Sequence, residues 1–238
     1  MLRVPIQIEI DNDKAISIAK VLLDLIGQRH WLVSMPEYQL PRNLQAGTCE
    51  HALYLTFVIS IDYMTDAEKL WRKARGAYEL YPERFTPEKV LAVSDRTLQV
   101  FVRRLGARFG SSAAKTWRKI SQILLEKYGG DPRNITPQPL TIEEIKKKLQ
   151  DFPYLRGSKL ANFYIRAMGE TGLFKVKDLD ELDVPVDKQI ARFTIYTGVL
   201  KLKNGKFQGC ANDDPPKKPY SRSMEKSSQN HRHGSLEA

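Results

Sequence analysis

The sequence predicts an all-α fold with a short extended segment at its N-terminal end. Beyond Gly47, apolar side chains recur at three- and four-residue spacing, as in Leu98, Phe101, Val102 and Leu105. Helix start signals precede these runs: Thr86-Pro87, Ser94 and the pair Thr141-x-x-Glu144. Glycines punctuate the runs at Gly106, Gly110 and Gly129-Gly130, where helices stop and turn.

Taken in order, Val4, Ile6, Ile8 and Ile10 alternate with polar residues and read as an extended segment. Asp13 is expected to cap a helix reaching about Ile26, with Gly27 as its stop. The stretch 33–46, with Pro36 and Pro41, reads as loop. Glu50 to Ile61 is apolar nearly all round, the pattern of a central helix. Thr65-Asp66 opens a helix to about Tyr81, with Leu70, Ala74 and Tyr78 on one face. Pro at the first helical position after Thr86 marks another start. Ser94 caps the next helix, which Gly106 and Gly110 are expected to end. Ala113 to Tyr128 carries a stripe of Trp117, Ile120, Ile123 and Leu124. Thr141 and Glu144 form a capping box for the helix of Ile145 and Leu149, and Leu160 to Met168 makes a further short helix. The expected organisation is an extended segment over 1–11, a helical domain over 12–207, and a flexible polar tail over 208–238.

The chain has 238 residues and 42% hydrophobic side chains, enough for a real core and against general disorder. No apolar run approaches the roughly 18–20 residues that a membrane span needs, and the N-terminal residues carry no secretory pattern. The reading is a cytoplasmic monomer without membrane association. Two cysteines, Cys49 and Cys210, cannot supply a disulfide framework, a four-cysteine zinc site or a cysteine-held iron–sulfur cluster. The four histidines show no ligand-like spacing within the folded part, so neither metal nor cofactor is expected.

Lys and Arg number 38 against 28 Asp and Glu, a formal charge of +10. The excess is concentrated: residues 101–130 hold Arg103, Arg104, Arg108, Lys115, Arg118, Lys119 and Lys127 against Glu126 alone. Such a local excess attracts a phosphate backbone by displacing its counterions.

Two segments carry the chemistry. Phe152-Pro153-Tyr154-Leu155-Arg156-Gly157-Ser158-Lys159 is a glycine-bearing turn between two short helices, a geometry that offers backbone N–H groups to a phosphate. Val184-Pro185-Val186-Asp187-Lys188-Gln189 places an acid where a helix begins, with Ile190 and Phe193 expected to face inward. Singly, Asp187 is also what a plain N-cap looks like, and Lys159 what a solvated first-turn lysine looks like.

Together and in this order, the segments resemble the helix-hairpin-helix/Gly-Pro-Asp superfamily of DNA glycosylases over about residues 50–200. Glu83 to Gly106 resembles the superfamily's early helices, and Ala114-Lys115 to Gly130 its next one. Within it, Ile59-Ser60 with Trp71, Lys159 with Phe163, and Pro185-Val186-Asp187 followed by Ala191-Arg192 resemble the archaeal 8-oxoguanine branch. The interval of 28 residues between Lys159 and Asp187 is longer than the superfamily's usual one. The hairpin has one glycine, Gly157, where two are common. Asp62 stands near the place where endonuclease III-like enzymes carry a duplex-inserting Gln, so that role is not carried over.

The resemblance implies a base excision repair enzyme acting on double-stranded DNA that contains a damaged base, 8-oxoguanine by the branch pattern. Lys159 would attack the sugar C1′ and form a Schiff base, and Asp187 would stabilise the developing positive charge. Loss of a C2′ proton then permits strand cleavage, making the enzyme an AP lyase as well. Trp71 and Phe163 would bind the extruded base, and Arg156, Gly157, Ser158 and Gln189 the DNA. Three alternatives stand beside this: a non-catalytic helix-hairpin-helix DNA-binding module, an endonuclease III-like enzyme for oxidised pyrimidines without a cluster, and an unrelated helical interaction domain.

Overall fold

A computed structural model describes residues 7–27, 35–184, 186 and 188–203. The tail expected over 208–238 lies outside these residues. The described chain is mostly helical, in the order β1 (Ile8–Ile10), α1 (Asn12–Gly27), α2 (Cys49–Ser60), α3 (Ala67–Leu80), α4 (Pro87–Ala92), α5 (Asp95–Leu105), α6 (Gly110–Tyr128), α7 (Ile142–Leu149), α8 (Ser158–Glu170), α9 (Lys188–Tyr196) and β2 (Leu200–Leu202). Among the described residues, no helix is long and apolar enough to cross a membrane.

α2 is the hub. All of its side chains from His51 to Ser60 are buried, as its all-round apolar sequence requires. It meets α6 through Phe57 and Trp117, whose ring centroids lie 4.7 Å apart. The Trp117 indole N–H donates to the Phe57 carbonyl at 2.9 Å, so the largest ring of α6 enters the core without an orphaned donor. It meets α8 through Thr56 and Tyr164, whose hydroxyls lie 2.7 Å apart at full burial. On the α3 side, Tyr54 sits edge-on to both Trp71 and Tyr78.

Capping follows the sequence closely in the middle of the chain. Asp66, Ser94 and Thr141 each accept an N–H of the following turn, and Thr141 with Glu144 forms the reciprocal box. Gly106 ends α5 at φ 115°, a backbone region that L side chains rarely adopt. Gly110, expected to belong to that stop, instead opens α6. A Cβ there would lie 2.4 Å from the Arg103 side chain, so the glycine admits the arginine stem across the α5–α6 corner.

Four further expectations shift. The α1 cap is Asp11, whose side chain accepts from the Lys14 N–H at 2.9 Å, and Asp13 falls inside the first turn. The extended segment does not stand apart, because β1 pairs antiparallel with β2, an element the sequence reading assigned to the helical domain. The loop 33–46 contains a 3-10 turn at Pro36–Tyr38 that buries Glu37. Phe193, expected to face inward from α9, is 40% exposed, since little of the described chain packs over that helix face.

Candidate active site

The first of the two chemistry-bearing segments leads directly into α8. Its partner α7 is pinned by a clip between Leu140 and the segment after α8: Leu140 N–H donates to Lys175 O, and Lys177 N–H to Leu140 O, at 3.0 and 2.9 Å. The Asp178 carboxylate accepts the Ile142 N–H at 2.8 Å. α7, the intervening turn and α8 therefore form a braced helical hairpin.

The turn is compact. Phe152 and Leu155 are buried anchors, and the Arg156 N–H donates to Phe152 O. Tyr154 takes φ 64°, uncommon for a bulky residue. It is held by Ser112, whose Oγ lies 2.8 Å from its hydroxyl, and by the Tyr63 ring at 5.7 Å. Arg156, Gly157, Ser158 and Lys159 are all exposed. α8 begins at Ser158, two residues before Leu160, with Lys159 in its first turn. Gly157 at the N-cap position contributes no side-chain bond, and the first turn holds no acid.

Phe163 follows Lys159 by one turn and shares its helix face. The ring is half-buried, with the Arg166 guanidinium 5.4 Å from its centroid. Arg166 in turn pairs with the buried Glu37 at 2.5 Å and bonds Tyr38 and Glu170, so the 3-10 turn clasps the outer face of α8.

Trp71 is 1% exposed and belongs to the core. In this conformation protein encloses its ring faces, and no ring contact joins it to Phe163 among the described residues. Its indole N–H is directed to Asp62, with Nε1 3.4 Å from Oδ2. Burial pushes the Asp62 carboxyl above the ordinary carboxylate range, while the Trp71 N–H and the nearby Lys159 charge act against that rise. Asp62, whose duplex-inserting role the sequence reading did not carry over, is thus the acceptor for Trp71.

Asp187 lies outside the described residues, so its distance from Lys159 is not defined. What leads to it is anchored: Asn162, buried on α8, donates from Nδ2 to the Asp183 carbonyl at 3.0 Å. Gln189 is exposed on α9, immediately beyond. No group of three or more His, Cys, Asp or Glu side chains placed to hold a metal occurs among the described residues.

Beside the turn opens a pocket with about 260 Å³ of empty space, lined by Ser60, Ile61, Tyr63, Phe109, Ser112 and Tyr154 among others. Tyr63, Met64 and Phe109 expose 47%, 58% and 50% of their surface, a concentration of apolar groups that patterning by helical period had not singled out. These residues sit in loops, where hydrophobic periodicity carries no signal.

Compared with models of known protein families and with curated proteins, the sequence matches none.

Proposed function

We propose that this chain is a base excision DNA glycosylase with AP-lyase activity, using Lys159 as nucleophile in a helix-hairpin-helix framework. The observation that carries the reading is the position of Lys159: exposed, in the first turn of α8, directly after an uncapped glycine turn, with the path to Asp187 tied to the same helix by Asn162.

The chemistry follows from these groups. The turn Arg156-Gly157-Ser158 and the start of α8 face a phosphate of the strand, and the exposed cations Arg103, Arg104 and Lys119 add long-range attraction. The damaged base leaves the stack, since its glycosidic bond is unreachable inside a duplex. Exposed Tyr63 and Phe109 offer ring surface to the disrupted stack. The Lys159 amine, once it has given up its ammonium proton to solvent, attacks C1′, the bond from C1′ to the base nitrogen breaks, and the base departs with that electron pair and a proton lost from the amine. The sugar ring then opens as the C1′–O4′ bond breaks, O4′ takes up a proton, and an iminium forms on Lys159. Removal of a C2′ proton then expels the 3′ phosphate, and water releases the lysine. Asp187 balances the positive charge at C1′.

Borohydride trapping tests the reading. Wild-type protein should form a covalent adduct with a duplex containing 8-oxoguanine, and Lys159→Gln should form none while binding the duplex within a few fold. Trapping by Lys159→Gln at the wild-type rate would assign the chemistry to another amine. Salt-dependent duplex binding without any trapping would favour a non-catalytic DNA-binding module.

A further inference from the structure

A second cleft, with about 250 Å³ of empty space, opens where the 3-10 turn Pro82–Phe85, α4 and α5 meet. None of its lining residues belongs to the site built on Lys159. Its floor is apolar, formed by Val90, Val93, Leu98 and Phe101, and its charged lining groups among the described residues are two cations, Arg84 and Lys89. The rim continues this character. Val100 follows Thr97, which lines the cleft, by three residues on the same helix face and is exposed, as is Tyr81.

Arg84 is positioned by rings and not by an acid. Its guanidinium carbon lies 4.5 Å from the Tyr81 ring centroid and 5.1 Å from that of Phe101. Among the described residues, neither Arg84 nor Lys89 has a carboxylate partner. Acids close by in the chain are directed elsewhere. Glu88 turns toward the end of α6, its Oε1 3.6 Å from the place a Gly130 Cβ would occupy. Asp95 pairs with Arg118 at 2.7 Å. The same Arg118 donates to the carbonyls of Leu91 and Val93, which fixes the end of α4 as a wall of the cleft.

A guanidinium carries five donors in a planar fork that matches a carboxylate, and holding it between rings lowers the entropy lost when the carboxylate arrives. The ligand must therefore bring negative charge for the rim and an apolar group for the floor. A nucleic-acid backbone would meet the cations and leave the floor empty. We propose that this cleft is a docking site for an acidic peptide segment of a partner protein, which seats one apolar side chain on the floor and sets carboxylates on Arg84 and Lys89. Such a buried anchor inside a charged rim is the usual anatomy of a small protein interface.

The test is fluorescence anisotropy of the full chain with a labelled synthetic peptide in which one leucine is flanked by glutamates. A second peptide carries glutamines for the glutamates, and a third carries serine for the leucine. Wild-type protein should bind the first at least about tenfold more tightly than either control. Lys89→Glu should weaken that binding by about tenfold or more while keeping the melting temperature and duplex affinity of wild type. Lys147→Glu, the same charge change at an exposed position on α7, should hardly alter it. Arg84→Gln should act as Lys89→Glu does; if it does not fold, Lys89→Glu decides. Absence of peptide binding, or equal losses from Lys89→Glu and Lys147→Glu, would overturn the proposal by reducing the cleft to bulk charge. Equal affinity for the serine peptide would show that the floor seats nothing and would overturn it too. A parallel loss of duplex affinity in Lys89→Glu would assign the cleft to nucleic acid, and a dimer of this chain that Lys89→Glu dissolves would assign it to a second copy; either result refutes the peptide site.

Discussion

Asn162 Nδ2 donates to the Asp183 carbonyl at 3.0 Å, joining the helix that carries Lys159 to the segment that leads to Asp187. The two residues are far apart in sequence, and neither belongs to a motif. The bond ties Asp183, four residues ahead of Asp187 in the sequence, to α8 three residues after Lys159.

Replacing that tether should therefore affect chemistry more than folding. Asn162→Leu removes one hydrogen bond, a loss on the order of 1 kcal/mol in stability. Trapping should fall by about ten- to a hundredfold, equivalent to roughly 1.4–2.7 kcal/mol of transition-state stabilisation. Thermal melting and single-turnover trapping measured together check this; parallel losses in stability alone, with wild-type trapping, would deny Asn162 a positioning role.

The Glu37–Arg166 pair clasps α8 one turn beyond Asn162. Glu37 is 5% exposed at its side chain and Arg166 28%, so the pair is largely desolvated. Removing one partner from a buried pair costs about 3–5 kcal/mol, because the other charge is stranded. Arg166→Met should cost close to the lower end, since the arginine side is partly open, and should free the Phe163 ring it covers. Urea unfolding of Arg166→Met, Glu37→Gln and the double variant gives the coupling directly. Additive losses would show the two residues to be independent.

His51 sets a pH dependence. It is buried at the start of α2, its Nδ1 accepting the Gly47 N–H at 3.2 Å, and burial lowers its pKa from the ordinary 6.5. Below 6.5 the unfolded chain takes up a proton that the folded chain resists, so stability should decline as pH falls from that value toward the lowered folded pKa. The chain should melt at progressively lower temperature between about pH 7 and pH 5, in the range where histidine titrates. His51→Asn keeps an acceptor near Nδ1 and removes the titration. If its melting temperature falls with pH as steeply as wild type, another group is responsible.

The cations of α5 and α6 divide into two kinds. Arg118 is engaged with the protein: it pairs with Asp95 at 2.7 Å and donates to the carbonyls of Leu91 and Val93. Arg103, Arg104 and Lys119 are exposed. Arg118→Ala should lower the melting temperature and leave the salt dependence of duplex binding nearly unchanged. Substituting whichever exposed cations meet phosphate should flatten the slope of log K against log salt by about 0.9 each. An unchanged slope in the triple Ala variant of Arg103, Arg104 and Lys119 would make this surface an ordinary solvated face.

Much of the helical order was legible in the residues themselves. Asp66, Ser94 and the Thr141–Glu144 box are local signals, because an N-cap acts on the next turn of its own chain and needs nothing distant. The all-round apolar run from Ala52 to Ile61 likewise announces burial wherever the helix ends up. Lys159 and Phe163 were legible as one face of a helix by spacing alone. Other features depend on partners that sequence distance hides. β2 exists because Ile8–Ile10 returns to pair with it, and the residues Leu200–Leu202 are too few to show a period. Glu37 looks like a loop acid until Arg166 supplies the charge that makes its burial tolerable. Trp71 was read as a base-binding ring by resemblance; the packing of α3 on α2 buries it and leaves its N–H to reach Asp62. Sequence determined which segments are helices and for which residues the chemistry is proposed, since backbone capping and hydrophobic period are local. Tertiary structure alone decided which of those residues meet, because burial and charge pairing are properties of the packed chain.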